Sequence, residues 1–302
     1  MSIYFIVGPT AIGKSDLALR IAQHINGEII NADSMQVYKN LNILTARPQK
    51  QDLKKIKHHL YGHIEGFNRY NVAHWCNESL KIIKKNNNKK PLIFVGGTGM
   101  YIDKLINGLF NIPTIPEKLK KQSEKELNKL GINKFYEEVI KVDKEAAIKI
   151  NSNDSIRLRR IWEIFMHTKI PMSTWTKKNE KKFIQNDDYY LYLFLPNREK
   201  NYERVNNRFV KMIESGAINE VKSLLKLNLD KSLPIMKAHG VPELSSYIMD
   251  DGELEECIKD GQKVTRNYVK RQHTWWNSST LKIHQKITEF PDEIDIKMIN
   301  FN

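Results

Sequence analysis

The chain has 302 residues, of which 40% are hydrophobic and 28% charged, so it can bury a core of its own as one domain or as one domain carrying an inserted second one. Its 49 Lys and Arg exceed its 35 Asp and Glu, and the net charge of +14 favours contact with polyanions such as nucleic acid without requiring it. The sequence has no basic leader, no run of about 18 apolar residues and only two isolated cysteines, Cys76 and Cys257. We therefore expect a cytoplasmic protein with no membrane span, no disulfide scaffold and no zinc site.

The first motif follows the apolar run 3–7 and has the pattern G-x-x-x-x-G-K-[ST]. Its residues are Gly8, Pro9, Thr10, Ala11, Ile12, Gly13, Lys14 and Ser15. Backbone N–H groups of such a loop, together with the N-terminus of the next helix, bind phosphate. We expect Lys14 to reach the terminal phosphates and the Ser15 hydroxyl to bind a magnesium ion. The alternative is a glycine-rich turn without a ligand, and the motif does not identify the phosphate compound.

A second predicted strand, residues 27–31, is followed by Asp33. Ligands of open α/β sheets bind at the carboxyl ends of the strands, so we expect Asp33 near the phosphates. A carboxylate at this position could accept a proton or help to bind a metal. The alternative is that Asp33 caps a following turn.

Three histidines lie close together in sequence, after a basic turn at residues 45–48. They are His58, His59 and His63, and they raise the possibility of a metal site. The segment offers no fourth ligand at a useful spacing, so packed or solvated histidines are the favoured interpretation.

The apolar run 91–95 is the next predicted strand, and it ends in Gly96, Gly97 and Thr98. ATPases with a phosphate-binding loop usually end this strand in an aspartate that positions magnesium, which this chain lacks here. Strands and helices alternate up to residue 110. This alternation predicts a parallel, doubly wound sheet.

The composition changes after residue 111. Residues 117–183 are helical in character and contain 17 Lys and Arg against 10 Asp and Glu, which predicts an inserted helical domain with a basic face. On a helix, Arg157 and Arg160 share a face and could bind one phosphate backbone. The alternative is an ordinary surface helix with a pair between Arg159 and Glu163.

The chain then returns to the sheet with a predicted strand at residues 188–195 and a predicted helix at 202–213. Arg204 and Arg208 lie four residues apart on this helix, and either could stabilise a departing phosphate group. A basic and aromatic helix at residues 265–276 is suited to nucleic acid.

Together these motifs resemble those of the tRNA dimethylallyltransferases, and the resemblance covers most of the chain. It depends on residues 8–15, 33–38, 45–48, 96–101, 154–163, 204–208, 237–243, 265–266 and 270–275. It implies an α/β fold with a P-loop NTPase-like parallel sheet core, residues 1–111 and 186–302, and an inserted, mainly helical tRNA-binding domain, residues 112–185.

The resemblance also implies an activity, the transfer of a dimethylallyl group from dimethylallyl diphosphate to N6 of adenine 37, beside the tRNA anticodon. Asp33 is then the general base, Thr98 and Arg208 act beside the diphosphate, and Mg²⁺ is bound near Ser15. The segments that match the tRNA contacts of the family comprise Asp33, Ser34, Met35, Gln36, Ile156, Arg157, Leu158, Arg159 and Arg160. Ile156 departs from the family, which usually has glutamine there. We expect the enzyme to be a monomer.

Two other functions remain open from the sequence. A P-loop kinase acting on a nucleoside or small metabolite would explain the loop and the sheet, but not the basic insert or the Gly-Gly-Thr strand end. An RNA-binding module with a vestigial nucleotide site is disfavoured because Lys14, Ser15, Asp33 and Arg208 occur together.

Overall fold

The computed structural model describes residues 2–110, 112–177, 182–185, 187–249 and 252–299. The chain divides into two units. One consists of Met1–Ile106 and Lys182–Asn302, and the other of Asn107–Lys181. The sequence places the domain boundaries at 111 and 186 instead, and its assignment of tRNA binding to the insert stays a prediction.

A six-stranded sheet forms the centre of the first unit, and its strands all run parallel, in the order β3-β2-β4-β1-β5-β6. The strands are β1 (Ile3–Val7), β2 (Glu28–Asn31), β3 (His58–His59), β4 (Leu92–Gly96), β5 (Tyr189–Phe194) and β6 (Gln285–Ile287). Strands β1 and β4 are buried along their whole length, as expected for a parallel sheet covered on both faces. The predicted P-loop NTPase-like parallel sheet is confirmed.

Eleven α-helices and two short 3-10 helices occur in the described part of the chain. The α-helices are α1 (Lys14–His24), α2 (Lys50–Lys55), α3 (Val72–Asn86), α4 (Gly99–Asn107), α5 (Glu117–Ala147), α6 (Ser155–Thr168), α7 (Met172–Lys177), α8 (Arg198–Glu214), α9 (Ala217–Leu225), α10 (Val241–Met249) and α11 (Leu254–Asn277), and the 3-10 helices are Pro234–Lys237 and Ile296–Met298. None of the described helices is both long enough and apolar enough to cross a membrane.

Hydrophobic clusters stabilise the first unit, and two of them join its helices to the sheet and to the loops. Leu17 and Ile21, one turn apart on α1, pack against the sheet, and Phe290 and Ile294 from near the C-terminus join the same cluster. The second cluster joins the segment after β2 to α8, α9 and α10 and includes Phe209. These clusters hold the helices against the sheet and fix the loops that follow its strands.

The second unit, described by itself, is helical and has its own small core. Phe135 and Val139 of α5 pack with Leu158, Ile161 and Trp162 of α6. Asp154 begins α6, because its side chain accepts a hydrogen bond from the Arg157 N–H at 3.1 Å. Helix α5 is interrupted at a glycine with φ 74°, and residues 178–181 of the predicted helical stretch lie outside the described residues.

The register of the sheet brings three loops to one edge. Val7 of β1 lies level with Gly96 of β4, and Asn31 of β2 lies level with Val95. The phosphate-binding loop, the turn at Asp33 and the Gly-Gly-Thr segment therefore leave the sheet side by side. This is the edge at which ligands of such sheets bind.

Candidate active site

The motif from Gly8 to Ser15 forms the loop between β1 and α1 and the start of α1, and its residues from Thr10 onwards line a cavity of about 350 Å³. Gly8 has φ +147°, and a Cβ atom there would lie 2.2 Å from the carbonyl oxygen of Phe194 on β5. Only glycine allows this backbone to pass so close to the neighbouring strand. Gly13, with φ +93°, ends the loop and begins α1. The glycines of the motif thus shape the loop before any ligand is bound.

Lys14 is buried at the bottom of this loop and its Nζ donates a hydrogen bond to the carbonyl oxygen of Pro9. Burial lowers the pKa of Lys14 to about 7, the negative charge of Asp33 opposes this shift, and the positive charge of Arg208 adds to it. An anion in the loop would favour the protonated amine. The environment of Lys14 is therefore that of an anion-binding group.

Arg208 reaches the loop from α8. Its Nη2 donates to the Thr10 hydroxyl at 2.7 Å, and burial lowers the pKa of the guanidinium while Asp33 acts in the opposite direction. Arg204, one turn earlier, forms an ion pair with Asp292 at 2.7 Å and stacks on the ring of a C-terminal phenylalanine. Of the two predicted arginines, the structure brings Arg208 to the loop and places Arg204 against the C-terminal segment.

Asp33 uses one carboxylate oxygen to cap the turn that follows β2. Its Oδ1 accepts from the N–H of Met35 at 2.8 Å and, more weakly, from that of Gln36 at 3.4 Å. Its own N–H donates to the Asn31 side chain at 2.8 Å. Among the described residues, none donates a hydrogen bond to Oδ2. The capping interpretation thus accounts for one oxygen and leaves the other available for chemistry.

Two side chains hold this turn in place. The Thr98 hydroxyl accepts from the N–H of Ser34 at 3.2 Å and so joins the end of β4 to the end of β2. The Gln36 amide donates to the carbonyl oxygens of Thr45 and Ala46 at 2.8 and 3.1 Å. Gln36, a predicted tRNA contact, therefore also fixes the basic turn at residues 45–48.

A second cavity of about 220 Å³ adjoins the first and shares Thr10, Asp33 and Arg208 with it. Part of its wall is apolar and consists of Leu44, Val205, Phe209 and Met212. The lining also includes His239 and Tyr268, whose ring centroids lie 4.8 Å apart. Burial lowers the pKa of His239, which favours the neutral imidazole. The glycine-containing loop with its buried lysine, a carboxylate and an apolar wall thus meet at one place.

Gln272, on α11, is a site residue that the sequence analysis does not single out. It is 5% exposed, its Oε1 accepts from the Thr10 N–H at 2.9 Å, and its Nε2 donates to the Gly97 carbonyl at 2.9 Å. The signal in the sequence is the spacing of Thr265, Gln272 and Trp276, which are all buried on one face of α11. The sequence interprets this helix as suited to nucleic acid. In the structure, Gln272 on its buried face contacts the loop after β1 and the Gly-Gly-Thr segment after β4.

The predicted tRNA contacts on α6 belong to the second unit. Ile156 is 78% exposed, Arg157 is exposed and pairs with Asp154 at 3.2 Å, and Leu158 is buried. The Arg159 Nε donates to the Ser123 hydroxyl at 2.9 Å, and Arg159 also lies 3.9 Å from Glu163. Burial lowers the pKa of Arg160. The structure describes these positions, and their contact with tRNA stays a prediction.

Each of the three clustered histidines has a partner of its own. His58 contacts the carbonyl oxygen of Ile56 at 2.8 Å, while His59 pairs with Glu28 at 2.7 Å. His63 pairs with the carboxylate of a glutamate on α3 at 3.0 Å. The three rings therefore serve separate contacts.

Ser15 lies in the first turn of α1, is exposed, and makes no hydrogen bond through its hydroxyl within the described residues. Magnesium sites at phosphates use one or two protein oxygens, with the phosphate oxygens and water completing the shell. A free hydroxyl beside an anion-binding loop fits an ion of this kind.

Comparison with known proteins gives consistent results for sequence and fold. A family model described as IPP transferase matches residues 36–279. The tRNA dimethylallyltransferase of Pelagibacter ubique is 44% identical over 275 residues, which are 90% of this chain and 87% of that protein. The tRNA dimethylallyltransferase of Ehrlichia canis is 40% identical over 278 residues, which are 92% of this chain and 92% of that protein. Among solved structures, a tRNA isopentenylpyrophosphate transferase from Staphylococcus epidermidis has a TM-score of 0.67 at 30% identity over 98% of this chain and 95% of that one. A eukaryotic dimethylallyltransferase acting on tRNA has a TM-score of 0.77 at 30% identity over 91% of this chain and 69% of that one. The resemblance predicted from the motifs is confirmed, and the chain belongs to the IPP transferase family.

Proposed function

We propose that this protein transfers a dimethylallyl group from dimethylallyl diphosphate to N6 of adenine 37 of tRNA. The observation that carries the proposal is the junction of the two cavities, where Thr10 and Arg208 of the diphosphate site lie beside the carboxylate of Asp33. Family membership supports the same activity, and the curated relatives are named for it.

The donor fits the two cavities in one orientation. Its diphosphate occupies the loop cavity, where backbone N–H groups, Lys14 and Arg208 surround it. Its five-carbon group lies against the apolar wall formed by Val205, Phe209 and Met212. The carbon that reacts is then at the junction, next to Asp33.

The chain assists departure of the diphosphate by stabilising negative charge. When the carbon–oxygen bond breaks, its electron pair goes to the pyrophosphate oxygen and the allylic carbon gains cationic character. Lys14, Arg208 and the loop N–H groups face this growing charge in a buried site, where fixed positive groups are most effective. The apolar wall excludes water, which would otherwise react with the cation.

The Ser15 hydroxyl would hold Mg²⁺ beside the bound diphosphate. When bound there it would supply a Lewis acid that neutralises pyrophosphate charge.

Asp33 receives the proton that the adenine amine loses as its nitrogen bonds to the allylic carbon. The products are N6-dimethylallyl adenine, pyrophosphate and one proton, so the reaction is balanced without a covalent enzyme intermediate. The free oxygen of Asp33 is the acceptor, because the other oxygen is occupied by the turn. Asn31 holds the backbone of Asp33, and Thr98 holds that of Ser34.

The adenine must leave its stack to reach Asp33, so the anticodon loop delivers a flipped base. Ser34, Met35 and Gln36 follow Asp33 and are suited to contact the neighbouring nucleotides. Arg157 and Arg160 of α6 are suited to bind the phosphate backbone. We further propose that the enzyme acts in the cytoplasm and as a monomer.

The direct test is to incubate the protein with tRNA, dimethylallyl diphosphate and Mg²⁺ and to analyse the nucleosides by mass spectrometry. We expect a dimethylallyl adenosine with wild-type protein and none with Asp33→Asn. Dimethylallyl diphosphate with Mg²⁺ should raise the Tm, and ATP with Mg²⁺ should not. Stabilisation by ATP together with consumption of its γ-phosphate would instead support a kinase.

A further inference from the structure

A buried amide joins two of the loops that form the active site. Gln272 extends from α11 between the phosphate-binding loop after β1 and the Gly-Gly-Thr segment after β4. Its carbonyl oxygen accepts from the Thr10 N–H and its amino group donates to the Gly97 carbonyl, each at 2.9 Å. Both ends of the amide therefore have a partner of the correct polarity.

The backbone opposite this amide leaves room for it. A Cβ atom at Gly97 would lie 2.2 Å from the Gln272 Nε2, so a larger residue at position 97 would displace the amide. Gln272 is only 5% exposed and its hydrogen bond to the Gly97 carbonyl is buried, whereas the bond to the Thr10 N–H is half-buried at the edge of the cavities. A buried backbone group without a partner is unfavourable, so we expect loss of the amide to let the two loops shift.

Thr10 connects Gln272 to Arg208, the residue proposed to stabilise the leaving group. The Thr10 hydroxyl accepts from the Arg208 guanidinium at 2.7 Å, so the residue that Gln272 holds by its backbone holds Arg208 by its side chain. Thr10 and Arg208 both line the two cavities at their junction. A displacement of Thr10 would therefore move Arg208 relative to the diphosphate.

We propose that Gln272 is a positioning residue for the transfer reaction, which fixes Thr10 and through it directs Arg208 at the departing pyrophosphate. This inference rests on the proposed function. Lys14 and the remaining loop N–H groups surround the diphosphate, whereas Arg208 lines both cavities at the junction where the carbon–oxygen bond breaks. We therefore expect Arg208 to contribute more to the charge that develops in this step than to binding of the donor. Loss of Gln272 should therefore slow the chemical step more than it weakens donor binding.

The test compares Gln272→Met, which keeps the size of the side chain without its hydrogen bonds, with Gln262→Met. Gln262 is the matched control, because it lies on the same helix and its Nε2 donates to the Asn206 carbonyl of α8 at 3.3 Å, away from the loop. Single-turnover rates, donor Kd and Tm are measured for each. For Gln272→Met we expect a rate about 100-fold lower with donor Kd within about threefold, and for Gln262→Met a rate within about twofold of wild type.

A double-mutant cycle with Arg208→Lys separates positioning from a structural role. If Gln272 acts through Arg208, the two effects on the rate of the chemical step should be clearly non-additive, because the second change removes an effect that depends on the first. Gln272→Asn, which retains the amide on a shorter side chain, is measured as well and replaces Gln272→Met if that variant does not fold. It should also lower the rate, because its amide cannot span both contacts.

Three results would overturn the inference while wild-type protein is active. They are an unchanged rate in folded Gln272→Met, a donor Kd that rises as much as the rate falls, and additive effects with Arg208→Lys. Wild-type protein that forms no prenylated adenosine would overturn the proposed function itself, and this inference with it.

Discussion

Lys14 is a buried cation whose contact within the described residues is a carbonyl oxygen and not a carboxylate. Its pKa is lowered to about 7 in the folded protein, chiefly by desolvation, from an ordinary value of 10.5. Between these values the unfolded chain binds more protons than the native one, so the free energy of unfolding rises with pH across this window. Below pH 7 the amine is charged in both states and the native state bears the full cost of burying it.

Lys14→Met should therefore stabilise the ligand-free protein. We expect a Tm higher than that of wild type by a few degrees at pH 6, with the difference shrinking as the pH rises from 7 towards 10. Thermal unfolding at a series of pH values measures this, and Lys270→Met, at an exposed position, is the control. Lys14→Met should also lose the Tm increase that dimethylallyl diphosphate gives to wild type. A gain in Tm that is equal at every pH would contradict the burial of a titrating amine.

Asp33→Asn tests whether one carboxylate oxygen of Asp33 caps the turn while the other accepts the proton. Asparagine retains an oxygen that can accept from Met35 and Gln36, so the turn should persist, but it removes the proton acceptor. We expect kcat to fall at least about 100-fold while the Kd values for donor and tRNA change by less than about threefold. Asp33→Ala, which removes the cap as well, should lose Tm in addition. Turnover by Asp33→Asn near the wild-type rate would exclude the carboxylate as general base.

At the scale of single elements, the arginines of α6 differ in their contacts: one is hydrogen-bonded to α5, and another is exposed and could bind a ligand. Arg159 is bonded to Ser123 and to the Lys120 carbonyl, which makes it part of the packing between α5 and α6. Arg157 is 72% exposed in its side chain, and its pair with Asp154 is of the surface type that contributes little to stability. Arg157 can therefore exchange its partner for a phosphate at small cost.

The double change Arg157→Ala with Arg160→Ala should weaken tRNA binding most at low salt. Each lost phosphate contact makes the dependence of log Kd on log salt concentration shallower by about 0.7–0.9, so the difference from wild type should shrink as salt is added. Kd values for tRNA between low and moderate salt measure this slope. Lys149→Ala, which removes an exposed cation of the same unit, should leave the slope nearly unchanged. Identical slopes for wild type and the double variant would mean that α6 binds no phosphate.

The elements also show what the sequence could and could not predict. The runs that form β1, β4 and β5 are largely apolar because these strands are buried in a parallel sheet, and β2 has the apolar pair Ile29 and Ile30 at its centre. All four strands were predictable to within a residue or two. The edge strands β3 and β6 have two and three residues and carry no such pattern. The motif G-x-x-x-x-G-K-[ST] likewise predicted the loop after β1, and the end of β2 predicted the position of Asp33 beside it. The role of Gln272 could not be predicted, because its partner Thr10 is 262 residues away in the chain.

At the scale of the whole molecule, the segment near the C-terminus closes over the beginning of the chain. Arg20 of α1 donates to the carbonyl oxygens of Pro291 and Ile294, at 2.6 and 3.2 Å. Asp292 lies at the end of the phosphate-binding loop, 3.2 Å from where a Cβ of Gly13 would be, and pairs with Arg204 of α8. The position of the loop thus depends on contacts made by a segment more than 270 residues later in sequence.

Deletion of residues 289–302 should therefore affect both stability and the active site. Phe290, Ile294 and Ile299 are buried in the cluster that holds α1 on the sheet, and the loss of each costs roughly 1.5–3 kcal/mol, so we expect Tm to fall markedly. We also expect a weaker affinity for dimethylallyl diphosphate, measured well below the lowered Tm, because the loop and Arg204 lose Asp292. Met298→Ala, at a side chain that is 63% exposed, should change neither quantity. A truncated protein that unfolds at a lower temperature but binds the donor as tightly as wild type would show that this segment supports the sheet and not the loop.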